Sequence, residues 1–306
     1  MAKTLEDLEK SRKIREEIIF KYGFIPESVW KIQYKKNKRL DQFIESQNEV
    51  AKQYHANREY ANDKKLLKAF SSSNKGVRKA NGKGLSIFPY HLGETIVKFY
   101  SKPDDTVFDP FMGHNSRMQI VFELGRNYIG YDISKEFMKE NFKLKELLLK
   151  RCLDDGLKHN TIDIYEKDSR NIDLPENSVD MIFTSPPYWD LEFYGEEENQ
   201  LGYKKSYGLF LHGLKQVLTG CSKVLKPGCY CVFNVNDFRK EGRFYSYHTD
   251  VIQLTNNLDL NIWDNVIVDW GSSIASCFAS QIDERKICGK RHEYLLVFKK
   301  RDEANE

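Results

Sequence analysis

From about residue 85 onward, short apolar segments alternate with longer segments of helical periodicity, and this alternation constrains the fold more than any other feature. Strands are predicted near Thr106–Asp109, Tyr128–Asp132, Thr161–Tyr165, Val179–Thr184, Tyr230–Val235, Ile262–Trp270 and Tyr294–Phe298. Helices are predicted near Leu92–Tyr100, Ser116–Leu124, Lys135–Leu153, Tyr207–Val224 and Tyr247–Asn257. Because strands that alternate with helices are joined by right-handed crossovers, the pattern predicts an α/β fold with a mostly parallel seven-stranded sheet and helices on both faces.

The first 84 residues differ in composition from the rest of the chain. They hold 20 of the 48 basic residues but only 11 of the 45 acidic ones, so this segment carries a net charge of +9 and residues 85–306 carry −6. We therefore divide the chain into a basic, mainly helical N-terminal segment, residues 1–84, and a second domain, residues 85–306. The charge makes the N-terminal segment a candidate for contact with nucleic acid.

Two helices and a loop are predicted within the N-terminal segment. The first helix would bury an apolar face and end near Gly23 and Pro26, and its apolar residues are Leu5, Leu8, Ile14, Ile18 and Ile19. A second helical stretch is predicted over about residues 27–70. Residues 71–84 favour a flexible loop with four basic residues, Lys75, Arg78, Lys79 and Lys83. That loop is either a solvated linker or a contact to phosphates.

Several classes of protein are excluded by simple features of the chain. The apolar runs are far shorter than the ~20 residues that cross a bilayer, and the first ten residues are too charged for a signal peptide. The six cysteines show neither a CxxC pair nor zinc-finger spacing. We expect a reduced, cytoplasmic protein, of prokaryotic or phage-like context, without a membrane partner or a metal site. The sequence leaves the oligomeric state open.

The segment VFDPFMGHNSR, residues 107–117, places an acidic residue at a strand end and a glycine in the turn that follows. Gly113 allows the backbone to approach a ligand closely. Asp132 ends the next strand, where a carboxylate can accept both hydroxyls of a ribose. No GxGxxG motif is present, so the pattern favours a nucleoside without phosphates over a dinucleotide. Asp109 or Asp132 taken alone is also typical of a helix cap.

Two polar residues follow the third predicted strand. Asp168 could accept a hydrogen bond from an adenine amino group, with Ser169 beside it, or it could be an ordinary turn residue.

The string IFTSPPYWD, residues 182–190, carries the strongest functional signal. Two consecutive prolines fix an extended turn directly after a buried strand. The turn would present the Ser185 hydroxyl and the Pro186 carbonyl as acceptors for an exocyclic amine, and Tyr188 as a ring that stacks on the base. This arrangement suits chemistry on a base taken out of its stack.

Together these segments resemble the amino-methyltransferases that transfer a methyl group from S-adenosyl-L-methionine to adenine or cytosine in DNA. DPFMG at 109–113 is similar to their cofactor motif. TSPPYW at 184–189 resembles their catalytic motif in the serine form, which is most often associated with cytosine N4 but occurs with adenine N6 as well. SIFPYHLGETIVKFYS, residues 86–101, is similar to the segment that packs on the methionine moiety. The order of the two motifs is the reverse of that in many relatives, which circular permutation explains.

The resemblance implies a Rossmann-like methyltransferase fold over about residues 85–300, acting in DNA methylation of the restriction-modification kind by base flipping. It implies catalytic roles for Ser185, Pro186, Pro187 and Tyr188. It implies cofactor contacts from Phe88, Asp109, Pro110, Phe111, Gly113, Asp132, Asp168 and Ser169.

One departure from the family pattern follows the cofactor motif. Where the family has a small Gly-Ser-Gly-Thr-like turn, this chain has His114, Asn115, Ser116 and Arg117. The bulkier residues imply ordinary S-adenosylmethionine held differently, a modified cofactor or transferred group, or weakened catalysis.

DNA contacts are expected from outside the catalytic cleft. Besides the N-terminal cations, the candidates are Arg239, Lys240, Arg243, Lys286, Lys290 and Arg291, although each cluster alone is also typical of a solvated face. Trp189, which the catalytic turn would present into the cleft, is a further candidate for contact with nucleic acid. The loops at residues 190–206 and 237–248 are candidates for sequence readout. An RNA base methyltransferase and a nucleic-acid-binding protein with a degenerate cofactor site remain as alternatives.

Overall fold

The computed structural model describes residues 5–22, 24–31, 88–113, 116–154, 160–191, 197–271 and 284–302. Its helices are α1 (Leu5–Tyr22), α2 (Tyr90–Tyr100), α3 (Ser116–Glu123), α4 (Lys135–Asp154), α5 (Tyr207–Val224) and α6 (Tyr247–Leu254). The strands are β1 (Val29–Lys31), β2 (Thr106–Asp109), β3 (Asn127–Asp132), β4 (Ile162–Glu166), β5 (Val179–Thr184), β6 (Leu225–Val235), β7 (Phe238–Lys240), β8 (Arg243–Tyr245), β9 (Leu260–Asp269) and β10 (His292–Lys300). Within these residues, no helix is both long and apolar enough to cross a membrane.

Eight of the strands form one sheet in the order β1-β9-β10-β6-β5-β2-β3-β4. Strand β10 runs antiparallel to both of its neighbours, and the other adjacent strands are parallel. The sheet therefore has the topology of the Rossmann-like methyltransferase fold, and all seven predicted strands are present. Their carboxyl ends from β2 to β6 meet along one edge, which positions the site described below.

Helices cover both faces of the sheet because adjacent strand residues point to opposite sides. Val107 of β2 packs into a core formed with α2, α3 and α4, whereas Phe108 packs into a second core formed with α5 and α6. Both side chains are fully buried. The α/β fold class is thus confirmed by two hydrophobic cores, one on each face.

The N-terminal segment differs from its prediction in two respects. Helix α1 forms, but Ile14, Ile19 and Phe20 are exposed, so it does not bury the expected apolar face. Residues 29–31 form strand β1, not the start of a second helix, and pair in parallel with β9. Trp30 is 1% exposed and packs against Phe24, so pairing of this segment along the sheet edge is accompanied by burial of the indole. The remaining predicted helix and the basic loop lie outside the described residues.

Candidate active site

A cleft opens at the carboxyl ends of β2, β3, β4 and β5. It is lined by eleven of the twelve residues predicted for catalysis and cofactor binding: Phe88, Pro110, Phe111, Gly113, Asp132, Asp168, Ser169, Ser185, Pro186, Pro187 and Tyr188. The fold brings these residues together because each follows a strand end on the same edge of the sheet, apart from Phe88, which precedes α2. Asn234, Trp270 and Glu293 also line the cleft and were not predicted.

The turn after β2 uses its backbone N–H groups within the protein. Phe111 donates to Asp109 Oδ1 (3.1 Å), Met112 to the Tyr131 carbonyl (3.0 Å), and Gly113 to Asp132 Oδ2 (2.8 Å). Gly113 has φ of +51°, which a glycine adopts without strain. Because the N–H groups of residues 111–113 already donate hydrogen bonds within the protein, they do not bind phosphate oxygens. This turn suits a nucleoside better than a dinucleotide.

Asp109 lies beneath the cleft and not in its wall. The side chain is fully buried and accepts hydrogen bonds from Thr184 Oγ1 (2.6 Å), Tyr128 Oη (3.1 Å) and Arg117 Nε (2.7 Å). These donors come from β5, β3 and α3, so the carboxylate ties the cofactor turn to its neighbours. The structure therefore assigns Asp109 to holding the turn, where the sequence suggested direct contact with a ligand.

Arg117 accounts for part of the departure from the family pattern. Its guanidinium pairs with Asp109 and donates to the Phe111 carbonyl (2.5 Å), and it lies 5.5 Å from the ring centre of Phe88. The side chain is buried, so most of its bulk fills space under the turn. His114 and Asn115 lie outside the described residues.

Asp132 presents a carboxylate to the cleft. Oδ1 accepts the Ser134 N–H (2.8 Å), and Oδ2 accepts the Gly113 N–H. Burial raises the pKa of Asp132 to about 6, although the two backbone N–H groups favour its charged form. Each oxygen retains a lone pair, so the carboxylate can still accept hydroxyl groups.

Asp168 and Ser169 line the cleft just beyond the end of β4. Although burial acts against it, hydrogen bonds from Arg170 hold the pKa of Asp168 below its usual value. Arg170 also donates to the Asn199 carbonyl (3.2 Å), which links this wall to the segment after residue 196. The Ser169 hydroxyl donates to the Pro110 carbonyl. Arg170 was missed by sequence reasoning, although a cation two residues after an acidic cleft residue was a usable signal.

The Ser185–Tyr188 turn follows β5 directly. Pro186 is buried, whereas Ser185, Pro187 and Tyr188 are partly exposed. Tyr247 of α6 donates its hydroxyl to the Pro187 carbonyl (3.2 Å), and its ring packs edge-on against Tyr188 at 5.9 Å. The turn is thus fixed from below by a fully buried tyrosine.

Trp189 continues from this turn into an aromatic cluster. It has φ of +37°, an uncommon conformation for a residue other than glycine. Its indole N–H donates to the Lys204 carbonyl (2.9 Å), and its ring contacts Tyr207 and Tyr245. The indole is therefore held against the protein and only partly exposed.

The predicted basic contacts fall into two groups. Lys290 donates to the Asp237 carbonyl, and burial lowers the pKa of Lys290 to about 8; Arg291 pairs with Asp269 at 2.7 Å. Arg239, Lys240 and Arg243 instead lie on the β7–β8 hairpin. Lys75, Arg78, Lys79 and Lys83 lie outside the described residues.

Comparison with known families gives one match that spans most of the chain. The model of a DNA methylase family, of the N6/N4 type, matches residues 7–143 and 179–306. Both the cofactor turn and the Ser185–Tyr188 turn fall within the matched residues.

Curated relatives match over shorter segments. A type II methyltransferase of Moraxella bovis, M1.MboII, is 37% identical over 82 residues, which is 25% of this chain and 32% of the relative. A type II methyltransferase of Streptococcus pneumoniae, M2.DpnII, is 36% identical over 80 residues, covering 26% and 30%. The matched segment spans about a third of each relative's length. Among solved structures, a SAM-dependent methyltransferase from Methanosarcina mazei aligns with 72% of this chain and 100% of its own, at 12% identity and a TM-score of 0.43.

Proposed function

Since the chain belongs to the N6/N4 DNA methylase family, we propose that it transfers a methyl group from S-adenosyl-L-methionine to the exocyclic amine of a base in DNA. The observation that carries the proposal is one cleft lined by the Ser185–Tyr188 turn together with Gly113 and Asp132. A structural turn alone would not require a carboxylate that can accept ribose hydroxyls in the same cleft.

The cleft fits S-adenosylmethionine by the chemistry of its walls. Asp132 can accept the two ribose hydroxyls, and Phe111, Ile133 and Phe137 supply apolar surface for a purine. The committed N–H groups of residues 111–113 suit a cofactor that has no phosphate at this position. When bound, the cofactor supplies an electrophilic methyl group on a positively charged sulfur.

The chain's own part in the reaction is to position the amine. An exocyclic amine is a weak nucleophile because its lone pair is conjugated with the ring. The Ser185 hydroxyl and the Pro186 carbonyl accept hydrogen bonds from its two N–H groups and draw the nitrogen towards tetrahedral geometry. Tyr188 stacks on the extruded base, and the two prolines keep the acceptors in place. In-line alignment of this kind supplies catalysis by orientation, with no covalent bond to the protein.

We propose cytosine N4 as the favoured target over adenine N6, with base flipping to reach it. The support is the serine at position 185, since the serine form of the motif resembles that of cytosine-N4 enzymes. We further propose that residues 85–306 form the catalytic domain and that the basic N-terminal segment contacts DNA.

The test is methyl transfer from labelled S-adenosylmethionine to duplex DNA, single-stranded DNA and bulk RNA, followed by mass spectrometry of the nucleosides. We expect N4-methylcytosine from DNA. Label in RNA alone, or no transfer to any substrate, would contradict the proposal.

Variants connect the activity to the cleft. Ser185→Ala and Tyr188→Ala should lower the rate by about tenfold to a hundredfold, because each removes an interaction of about 1–3 kcal/mol with the base. Ser178→Ala and Trp263→Ala, which lie on other parts of the surface, serve as matched controls and should keep the wild-type rate. If both cleft variants transferred methyl groups at the wild-type rate, the assignment of the cleft as the active site would be contradicted.

A further inference from the structure

The predicted loop at residues 237–248 contains a β-hairpin that stands next to the catalytic turn. Strands β7 and β8 pair through Phe238 with Tyr245, Arg239 with Phe244, and Lys240 with Arg243. Glu241 and Gly242 form the two-residue connection and have φ of +52° and +82°. Both values are positive, as in the tight turns that match the twist of a hairpin.

One face of the hairpin is attached to the residues that follow Tyr188. Phe238 stacks on Tyr245 with ring centres 5.0 Å apart, and Tyr245 contacts Trp189 at 5.6 Å. Lys240 lies 4.2 Å above the Trp189 ring and pairs with Asp190. The hairpin therefore has a fixed position beside the catalytic turn.

The other face presents a large aromatic ring to solvent. Phe244 is 49% exposed although every other aromatic residue of the hairpin packs into the cluster. On this face the guanidinium of Arg239 lies 5.1 Å from the Phe244 ring. Arg243 pairs with Lys240 on the attached face and lies 5.1 Å from the Tyr245 ring. With Glu241 as the acidic residue of the connection, the hairpin carries three cations and one anion. An exposed ring with one arginine against it and a second arginine on the neighbouring strand position complements a stack of bases edged by phosphates.

We propose that Phe244 inserts into the base stack of duplex DNA beside the target base, while Arg239 and Arg243 contact the adjacent phosphates. The inference rests on the proposed function and deepens it. Extruding a base leaves a gap in the duplex and loses the stacking of that base on its neighbours. An apolar wedge compensates by occupying the opened step, as wedge residues do in proteins that kink DNA.

The kinetic test compares a duplex with its isolated target strand as methyl acceptors. Phe244→Ala should reduce the duplex rate at least about tenfold more than the single-strand rate, because extruding a base from a single strand breaks no base pair and less stacking. Phe244→Leu, which keeps an apolar wedge, should recover part of the loss. Trp263→Ala, which removes a 60% exposed ring elsewhere on the surface, is the control. Equal losses on both substrates, or no loss on the duplex, would overturn the proposal.

A binding test keeps the wedge separate from the methyl transfer. In the absence of cofactor, wild-type protein should raise the fluorescence of 2-aminopurine placed within a duplex, and Phe244→Ala should not. If the wild-type protein transferred no methyl group to DNA, the proposed function would be refuted. The fluorescence change would still show whether Phe244 inserts into the duplex. Equal fluorescence changes with the wild-type protein and Phe244→Ala would refute the insertion of Phe244 and leave the proposed function untouched.

The arginines give a third, independent readout. Arg239→Gln and Arg243→Gln should each weaken duplex binding and reduce the slope of log affinity against log salt by about one. A salt dependence unchanged in both variants would contradict the phosphate contacts.

Discussion

The Arg117 guanidinium lies 2.7 Å from the Asp109 carboxylate, and both side chains are buried beneath the cleft. The pair joins the last residue of β2 to the first turn of α3, on either side of the cofactor turn. Because Arg117 also donates to the Phe111 carbonyl, it fixes that turn from below. A residue that departs from the family pattern thus has a structural reason.

Removing the cation should destabilise the protein strongly. Arg117→Met leaves a buried carboxylate without its counter-charge, which should lower the free energy of unfolding by about 3 kcal/mol. The loss is not larger because three neutral donors to Asp109 remain. Urea unfolding followed by circular dichroism measures the loss. Asp109→Asn added to Arg117→Met should restore part of it.

The matched control is an ion pair near the surface. Lys98 lies 2.6 Å from Glu94, and both side chains are about a third exposed. Lys98→Met should cost less than about 1 kcal/mol. Similar losses for the Lys98 and Arg117 variants would show that the buried pair has no special role.

Gly113→Ala should lower both stability and cofactor affinity. Among the residues that the structure describes, a methyl group at this position meets only the Phe111 carbonyl, at 3.8 Å, so the cost arises from φ of +51° and amounts to about 1–2 kcal/mol. Gly125→Ala, with φ of +76° between α3 and β3, imposes a similar strain near the amino end of β3, outside the cleft at the carboxyl ends. Calorimetry with S-adenosylmethionine should separate the two, since only Gly113→Ala should bind it more weakly. Equal affinities would place the cofactor elsewhere.

Cofactor binding should weaken in acid. The pKa of Asp132 is raised to about 6 by burial, so the carboxylate that accepts hydroxyls is mostly ionised at pH 7 and mostly protonated at pH 5. Affinity should therefore fall about tenfold as the pH decreases from 7 to 5. Asp132→Asn should bind weakly at every pH, which separates this effect from histidine titration. A wild-type affinity that stays constant over this range would contradict the role of Asp132.

Tyr247→Phe should slow methyl transfer without changing cofactor affinity. The variant removes the hydrogen bond to the Pro187 carbonyl, at a cost of about 1 kcal/mol in stability, and frees the catalytic turn to shift. A shift of the acceptors should reduce kcat by about fivefold to tenfold while KM for S-adenosylmethionine stays the same. Tyr90→Phe, which removes a hydroxyl that donates to Glu123, is the control. A kcat equal to that of Tyr90→Phe would show that Tyr247 only packs.

Most element boundaries could be predicted from the sequence because each strand is a short apolar run between turn residues. Strand β5 and helix α5 begin and end where the pattern predicts. Strand β1 could not be predicted, since only Trp30 of its three residues is buried and its partner β9 is distant in the chain. The β7–β8 hairpin was missed because its Glu-Gly connection is not among the Asn-Gly and Asp-Gly pairs that signal such turns.

The residues of the candidate site could be predicted from their positions at strand ends, but the separate role of each residue could not. Asp109 and Asp132 look equivalent in sequence, each at a strand end before a helix. Only the fold shows that Arg117, Tyr128 and Thr184 surround the first, while the second faces the cleft. Roles that depend on partners from three separate elements cannot be derived from local patterns.

The basic N-terminal segment should contribute to the affinity for DNA. Trp30 belongs to the core, so substitution is a cleaner test than deletion of residues 1–84. Changing Lys75, Arg78, Lys79 and Lys83 together to Gln should weaken DNA binding and reduce its salt slope by about 0.9 for each cation that contacts a phosphate. Cofactor affinity should stay the same, because the cleft gains its charge from other residues. The control changes Lys139, Lys143, Lys145 and Lys150 of α4 to Gln, which alters the net charge equally. If both quadruple variants lost DNA affinity to the same extent, net charge alone would explain the effect, and the N-terminal segment would have no specific contact.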